Sequence, residues 1–386
     1  MRLTAAASSS LRAVLTGPAQ SARWLGATPA ALYLATAAGP GTAGPGAARP
    51  AVVGLGAAGP AVVGLLASDA VRLPCGLLLG GPAAERPLTA LAPPGDLTAA
   101  GCLIGAGLVR WTGPDGPVVV NVVREWSPPR PAAGQVVPAA LAEVHALLPS
   151  LAGAGFDAAL LAVFAAAAAG LTAEAGPSAD ADQTAAASLT AEACPSADAD
   201  LTGAVGGPAT AARVAGLLLG RGPGLTPAGD DLLAGFLLGA RTFGLPASGL
   251  RHAIAALAPA RTTALSAALL RHAADGECID EAAELAAALT GRAAPRPAMR
   301  QLLSVGHTSG AALAWGLVLA AQRSAARRSA AQRSAAQRSA AQRSAGVCPV
   351  VGAIGPISRH SSARPDLESG KSAPPWLGRA PMAGRA

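Results

Sequence analysis

Aromatic side chains make up only 3% of this 386-residue chain. That scarcity excludes the stacking platforms on which single-stranded nucleic-acid binders lay their bases, and it leaves a core of Leu, Val and Ala. Lysine is almost missing: Lys371 stands alone beside 28 arginines, which leaves little room for Schiff-base chemistry. The five cysteines, at 75, 102, 194, 278 and 348, form no CxxC or CxxxC pair. An odd, scattered set excludes a zinc framework and fits the reduced thiols of a cytoplasm. The longest apolar run, Ala158 to Leu171, falls short of the roughly 20 residues that span a bilayer. The first residues also lack a charged-then-apolar leader pattern. Walker A, HExxH and GxSxG patterns are absent, so the NTPases, zincins and serine hydrolases they define lose support. A cytoplasmic protein without a membrane partner is expected.

The net charge of +7 is misleading as a guide to partners. From Ala321 onward ten arginines and Lys371 face only Asp366 and Glu368, a net of +9, so the preceding 320 residues carry −2. A nucleic-acid protein spreads basic residues over its folded body. This body does not, and no nucleic-acid partner is expected.

Length allows two or three modest domains. From about 30 to 127 the chain reads as short apolar runs between Gly/Pro turns, among them "AALYLATA", "CGLLLG", "GCLIGAGLVRW" and "PVVVNVVREW". Such runs are strand signals, and "WTGPDGPVVVNVV" predicts a hairpin turning at Gly113 to Pro117. After "SPPRP" the periodicity becomes helical and Ala and Leu dominate. The expected fold is α+β: a β-rich domain over 1–130 and a helical domain over 135–322. "LTAEAGPSADAD" at 171–182 recurs as "LTAEACPSADAD" at 189–200, so 171–202 is expected to be an acidic surface loop. The unit AQRSA, once varied to ARRSA, repeats five times from Ala321 to Ala345. Units this short and this alike resemble recent tandem duplication rather than a solenoid. The tail over 323–386 is expected to be disordered, or to extend the preceding helix into solvent.

"RGPGLTPAGDDLLAGFLLGAR", Arg221 to Arg241, is the stretch with the most structure in its choice of residues. Gly222 and Gly224 suit a loop with positive φ. Thr226 is a candidate N-cap with Pro227 at N1, and Asp230 and Asp231 complement the helix dipole. Helix initiation explains that much. It does not explain Gly229, which costs about 1 kcal/mol of helix propensity relative to alanine and implies a close approach to the backbone. Asp231, Gly235 and Gly239 share a stripe four residues apart, predicting a close helix–helix seam with Asp231 at its loop end. Asp230, about 100° away, is expected to face solvent.

A second start of this kind is "VGHTSGAALAWG", with Gly306 and His307 ahead of Thr308 or Ser309 as cap. Exposed N–H groups and the dipole make such a start a candidate anion site, although a capped buried helix is the plainer reading. Between the two lies "RTTALSAALLRHAADGE". It sets Arg261 at an expected helix start, with Thr262 and Ser266 four residues apart on one face. Mid-helix Thr and Ser often bond their own backbone instead.

The blocks "GPGLTPAGDDLLAGFLLG", "RTTALS" and "VGHTSGAALAWG", in this order and spacing, resemble the AllH-type subunit family of oxamate carbamoyltransferase. The resemblance is specific over about 205–320 and weaker over about 20–130; Ala228 stands where that family's motif more usually has serine. It implies a role, with other carbamoyltransferase subunits as partners, in carbamoyl transfer from carbamoyl phosphate to oxamate. The products are oxalurate and phosphate, in allantoin (purine) catabolism. The small anionic substrate would sit between the two glycine-rich starts, on Gly224, Thr226, Gly229, Asp230, Arg261, Thr262, Ser266, Gly306, Thr308 and Ser309. Asp231 and His307 are the catalytic candidates, and no cofactor is called for, though Asp231 could hold Mg²⁺ through water. Two other readings stay open: a non-catalytic assembly subunit, and a stand-alone metal-dependent enzyme acting on a small anionic or phosphorylated substrate.

Overall fold

The computed structural model describes residues 1–36, 60–93, 101–149 and 208–345. The 171–202 duplicate, the apolar run Ala158 to Leu171, Cys194, Cys348 and the tail beyond Ala345 lie outside them. The chain divides into two compact units, Met1–Ser334 and Ala335–Ala386.

The β-rich part of the first unit is a closed eight-stranded barrel. Its strands are β1 (Arg2–Ser8), β2 (Gln20–Thr28), β3 (Ala31–Thr36), β4 (Val62–Leu66), β5 (Gly76–Leu79), β6 (Cys102–Gly105), β7 (Leu108–Gly113) and β8 (Gly116–Trp126). A short helix, α1 (Arg12–Thr16), follows β1. Around the barrel the order is β1-β5-β4-β3-β2-β6-β7-β8, closed by parallel pairing of β1 with β8. Strands therefore begin at Arg2, not near residue 30: the opening segments carry few of the β-branched residues that advertise a strand. The hairpin at Gly113 forms as expected, with Gly113 paired to Gly116 and Gly116 at φ +104. Two of the few aromatics meet in the barrel core, where Trp24 and Trp111 pack edge to face at 5.4 Å. Trp111 also donates its indole N–H to the Leu91 carbonyl at 2.7 Å.

The remaining described elements are helices: α2 (Pro138–Ala146), α3 (Pro208–Leu218), α4 (Ala228–Thr242), α5 (Ser248–Arg261), α6 (Ala264–Ala274), α7 (Asp280–Leu289), α8 (Pro295–Leu303) and α9 (Ser309–Ala345). Every described residue beyond 208 is thus helix or a short connection. Helix α4 is its axis, with only Arg241 not buried. The predicted seam is real and lies against α9. A Cβ on Gly235 would stand 2.2 Å from the Leu313 carbonyl oxygen, and one on Gly316 would stand 2.2 Å from that of Leu232. The backbones touch where side chains normally intervene. Helix α6 belongs to both cores, since Leu265 and Ala268 join the barrel interior while Ala267, Leu270 and Ala273 join the helical one.

The Arg-Ser-Ala repeats are helical as far as Ala345. Their first units are pinned to the helical core. The Ser324 hydroxyl donates to Phe243 O at 3.1 Å, and Arg328 reaches Ser324 Oγ at 2.7 Å and Val136 O at 3.0 Å. In the second unit, residues 335–345 are helix. No helix among the described residues is long and apolar enough to cross a membrane.

Candidate functional site

The loop before α4 is built as the glycines require: Gly220, Gly222 and Gly224 have φ of +74, +111 and +93. Pro227, not Thr226, occupies the cap position, with extended ψ and no side-chain cap bond. Thr226 is thereby free to reach across to the second motif, and its Oγ1 lies 3.1 Å from Ser309 Oγ at the start of α9. Ser309 in turn hydrogen-bonds the Asp231 carboxyl group. With Ser309 donating to Asp231, Thr226 donates to Ser309. The two glycine-rich starts are therefore joined by a three-residue chain of hydrogen bonds.

Asp231 is buried at the seam as expected, but Asp230 does not face solvent. Asp230 is 1% exposed and faces the protein interior, because α4 is surrounded on all sides and has no solvent face to offer it. It accepts the Gly220 N–H at 2.9 Å, the Thr262 hydroxyl and a bond from Ser266. Burial raises its pKa and those three bonds pull it back. Asp230 is a structural clasp fixing the loop after α3 to the α5–α6 connection. Among the described residues Asp231, 7% exposed, has Ser309 as its side-chain partner, and its Oδ2 has no hydrogen-bond partner. Burial, opposed by Ser309 and assisted by the charge of Asp230, pushes it up to about 7.

Gly229 answers to a different neighbour than the one expected. A Cβ there would stand 2.1 Å from the Leu218 carbonyl oxygen, so the close approach is made by the end of α3. Its N–H donates to Arg221 O at 2.9 Å, and those of Asp230 and Asp231 reach back to Pro227 O. The first turn of α4 thus spends three N–H groups on the protein itself and forms no anion cradle.

Asp231 borders a cavity of about 400 Å³ between the barrel and the helices. Thr28, Tyr33 and Leu66 contribute from the barrel, Asp69, Ala70, Val71, Leu73 and Pro74 from the loop after β4, and Ala234, Leu265 and Leu313 from the helices. Thr226, Gly306 and Ser309 also line it. Among the described residues no Arg, Lys or His lines it, although the wall carries three carboxyl groups, Asp69, Asp231 and Glu277. Arg221, Arg261, Gly224 and His307 are exposed and lie outside the wall, as do Thr262 and Ser266, which serve Asp230. Arg261 ends α5 and does not start a helix. Thr262 follows it in extended conformation, and Thr263 caps α6 by accepting Ser266 N–H at 3.0 Å while donating to Leu225 O at 2.5 Å. Thr308 sits just outside the first residue of α9 and away from the wall.

At the far side of the cavity stands Glu277, a residue that the sequence reading passed over. It accepts from Ser10 Oγ and His272 Nδ1, each at 2.7 Å, and from Arg130. Burial opposes its ionisation, yet these donors and the charge of His272 hold its pKa down at about 2. Ser10 follows β1, Arg130 follows β8 and His272 is on α6, so this carboxylate ties the barrel to the helices. The neighbouring Cys278 thiol is pushed up to about 12 by burial and by Asp280, Glu277 and Glu281, so it is no nucleophile. Among the described residues no three His, Cys, Asp or Glu side chains gather into a metal-binding group. Asp230 is already occupied by its donors, and Asp231 alone does not make a Mg²⁺ site. The residues do not fit the metal.

No curated protein and no solved structure matches this chain. Residues 218–321, a span that opens at the end of α3, closes within α9 and contains both glycine-rich helix starts, match the family model of oxamate carbamoyltransferase subunit AllH.

Proposed function

We propose that this chain is a carbamoyltransferase subunit in which Asp231 takes the proton from the attacking nitrogen. The observation that carries the reading is the buried Asp231 carboxyl group, joined to Thr226 through Ser309, with one oxygen unpartnered at the edge of a ligand-sized cavity. A general base works best with a pKa near the operating pH, and Asp231 lies at about 7.

In the reaction that the family's name suggests, the amide nitrogen of oxamate attacks the carbonyl carbon of carbamoyl phosphate. The new N–C bond forms as an N–H proton passes to Asp231. The C–O bond to phosphate then breaks and phosphate leaves with the electron pair. Asp231 afterwards returns its proton to phosphate or water. Ser309 and Thr226 hold the carboxyl group in one orientation. Among the described residues the phosphate charge has no counterpart in the cavity wall, which supports cationic groups supplied by another subunit. His307, exposed one residue beyond the cavity-lining Gly306, is on hand at that outer face. This need for a second charged surface supports a subunit over a stand-alone enzyme.

The test is co-expression with candidate partner subunits, followed by an assay with carbamoyl phosphate and oxamate. Loss of a positioned general base lowers kcat by roughly 10²- to 10⁴-fold; that is the outcome expected for Asp231→Asn in an assembled complex. An unimpaired Asp231→Asn complex would show that the chain serves assembly only.

A further inference from the structure

Two of the three sequence blocks meet directly: Thr226 of "GPGLTPAGDD" lies 3.1 Å from Ser309 of "VGHTSG". From the third, "RTTALS", Thr262 and Ser266 serve Asp230. Thr263 stands between them and has another task. Its hydroxyl accepts the Ser266 N–H at 3.0 Å, capping α6, and donates to Leu225 O at 2.5 Å. A cap requires only the first of these bonds. The second reaches across 38 residues of chain to the carbonyl immediately ahead of Thr226.

That carbonyl is a sensitive place to hold. A peptide unit is planar, so fixing Leu225 O fixes the plane that carries Thr226 N and Cα. The direction in which the Thr226 side chain leaves the backbone follows from that plane. The loop ahead of it supplies little restraint: Arg221 to Gly224 are exposed, and a Cβ on Gly224 would meet nothing within 4 Å. The Leu225 side chain is lodged against the barrel core, 3.4 Å from where a Cβ on Gly26 of β2 would stand. Thr263 adds the hold on the main chain, and it does so from a rigid base. Leu265 and Ala268 of α6 pack in the barrel core, while Ala267, Leu270 and Ala273 pack in the helical one. From Thr226 the line continues to Ser309 and on to the Asp231 carboxyl group. Successive hydrogen bonds polarise one another, so a change at one end of such a chain is felt at the other.

We infer that Thr263 is a positioning residue of the Asp231 site: by pinning the Leu225–Thr226 peptide to α6 it sets Thr226 against Ser309, and so holds the Asp231 carboxyl group in its orientation. This rests on the reading of Asp231 as the reacting group. Thr263 does not line the cavity and acts only through Thr226.

The experiment is a double-mutant cycle on the isolated full chain. NMR follows the titration midpoint of the Asp231 carboxyl carbon, whose resonance is assigned by its loss in Asp231→Asn. Thr263→Asp keeps the cap of α6, since a carboxylate accepts the Ser266 N–H, but once ionised it has no proton for Leu225 O. Thr226→Val keeps the shape and breaks the link to Ser309. Each is expected to move the midpoint upward, because the Ser309 bond that lowers it is weakened. Together they are expected to move it by less than the sum of the two. The direct effect of the added charge is the same with either residue at position 226, so the deficit isolates what passes through Thr226. Thr263→Val, which loses both bonds and adds no charge, is expected to show the same deficit. Thr263→Ser keeps both bonds and is expected to titrate as the parent does. Circular dichroism checks that the variants are folded. Additive shifts overturn the inference and leave Thr263 a helix cap. So does a midpoint that Thr226→Val leaves in place, or a shift with Thr263→Ser as large as with Thr263→Asp. An unimpaired Asp231→Asn complex in the oxamate assay removes the reading of Asp231 as base, whereas additive shifts remove the role of Thr263 alone.

Discussion

If Asp231 is kept for its chemistry, the fold carries it at a cost that depends on pH. Its folded-state pKa is about 7 against a reference of 3.8. Between those values the folded protein retains a proton that the unfolded chain releases, so stability falls as pH rises from about 4 to about 7 and is level above that. A shift of about three units at about 1.4 kcal/mol each puts the cost on the order of 4 kcal/mol. Asp231→Asn keeps the shape, and its amide still accepts from Ser309, but it cannot ionise. The variant is therefore expected to be more stable than the parent at pH 8, by up to about 4 kcal/mol, and close to it at pH 4. For a domain of this size each kcal/mol moves Tm by roughly 2 to 4 °C, so the pH 8 difference is readable. Denaturant melts of parent and variant at pH 4, 6 and 8 measure it. Equal stability at pH 8, or a gap that does not grow with pH, would refute the placement of an ionisable, unpartnered carboxyl group here.

The companion carboxyl gives the opposite result. Asp230→Ala strands the Gly220 N–H and the Thr262 hydroxyl, and a buried unsatisfied donor costs about 1 to 3 kcal/mol. The expected loss is of that order, seen in chemical denaturation near neutral pH. At the seam, Gly235→Ala brings a Cβ to 2.2 Å from the Leu313 carbonyl oxygen. Overpacking of about 1 to 3 kcal/mol exceeds the helix propensity gain of about 1 kcal/mol, so Tm should fall. Gly216→Ala, in α3 with nothing within 4 Å, should raise it. On the acid side, the stability that Glu277 contributes is complete above about pH 4.5 and is lost as pH falls towards 2. Glu277→Gln should flatten that part of the stability profile.

The two classes of element were legible because each follows from local periodicity. Short Gly/Pro-bounded runs became β3 to β8, and the Ala/Leu-rich segments of the described residues became helices. Barrel closure was not legible, because β1 pairs with β8 across more than a hundred residues and alanine-rich strands carry little propensity signal. In the site, the seam glycines Gly235 and Gly239 declared themselves through spacing, and the link between the two motifs through Thr226 and Ser309 gives their co-occurrence a physical cause. Glu277 could not be found from sequence, since its three donors come from residues 10, 130 and 272 and meet only when the barrel has closed against α6. The one available hint was its place after Gly276, whose φ of +83 ends α6 and turns the next side chain inward.

The burial of Asp230 beside Asp231 shows where helical-wheel reasoning stops. A separation of 100° sorts a buried face from a solvent face only if the helix has both. Helix α4 has neighbours all round, so the wheel sorts one interior environment from another. On one side stand donors supplied by the α3–α4 loop and the α5–α6 connection, and they fully occupy Asp230. On the other side stand the cavity and a single serine, and Asp231 is left incomplete. Two adjacent aspartates thus come to have opposite roles through their surroundings alone. One is satisfied by the protein and holds it together; the other keeps one oxygen with no partner among the described residues, which is the condition a ligand would relieve.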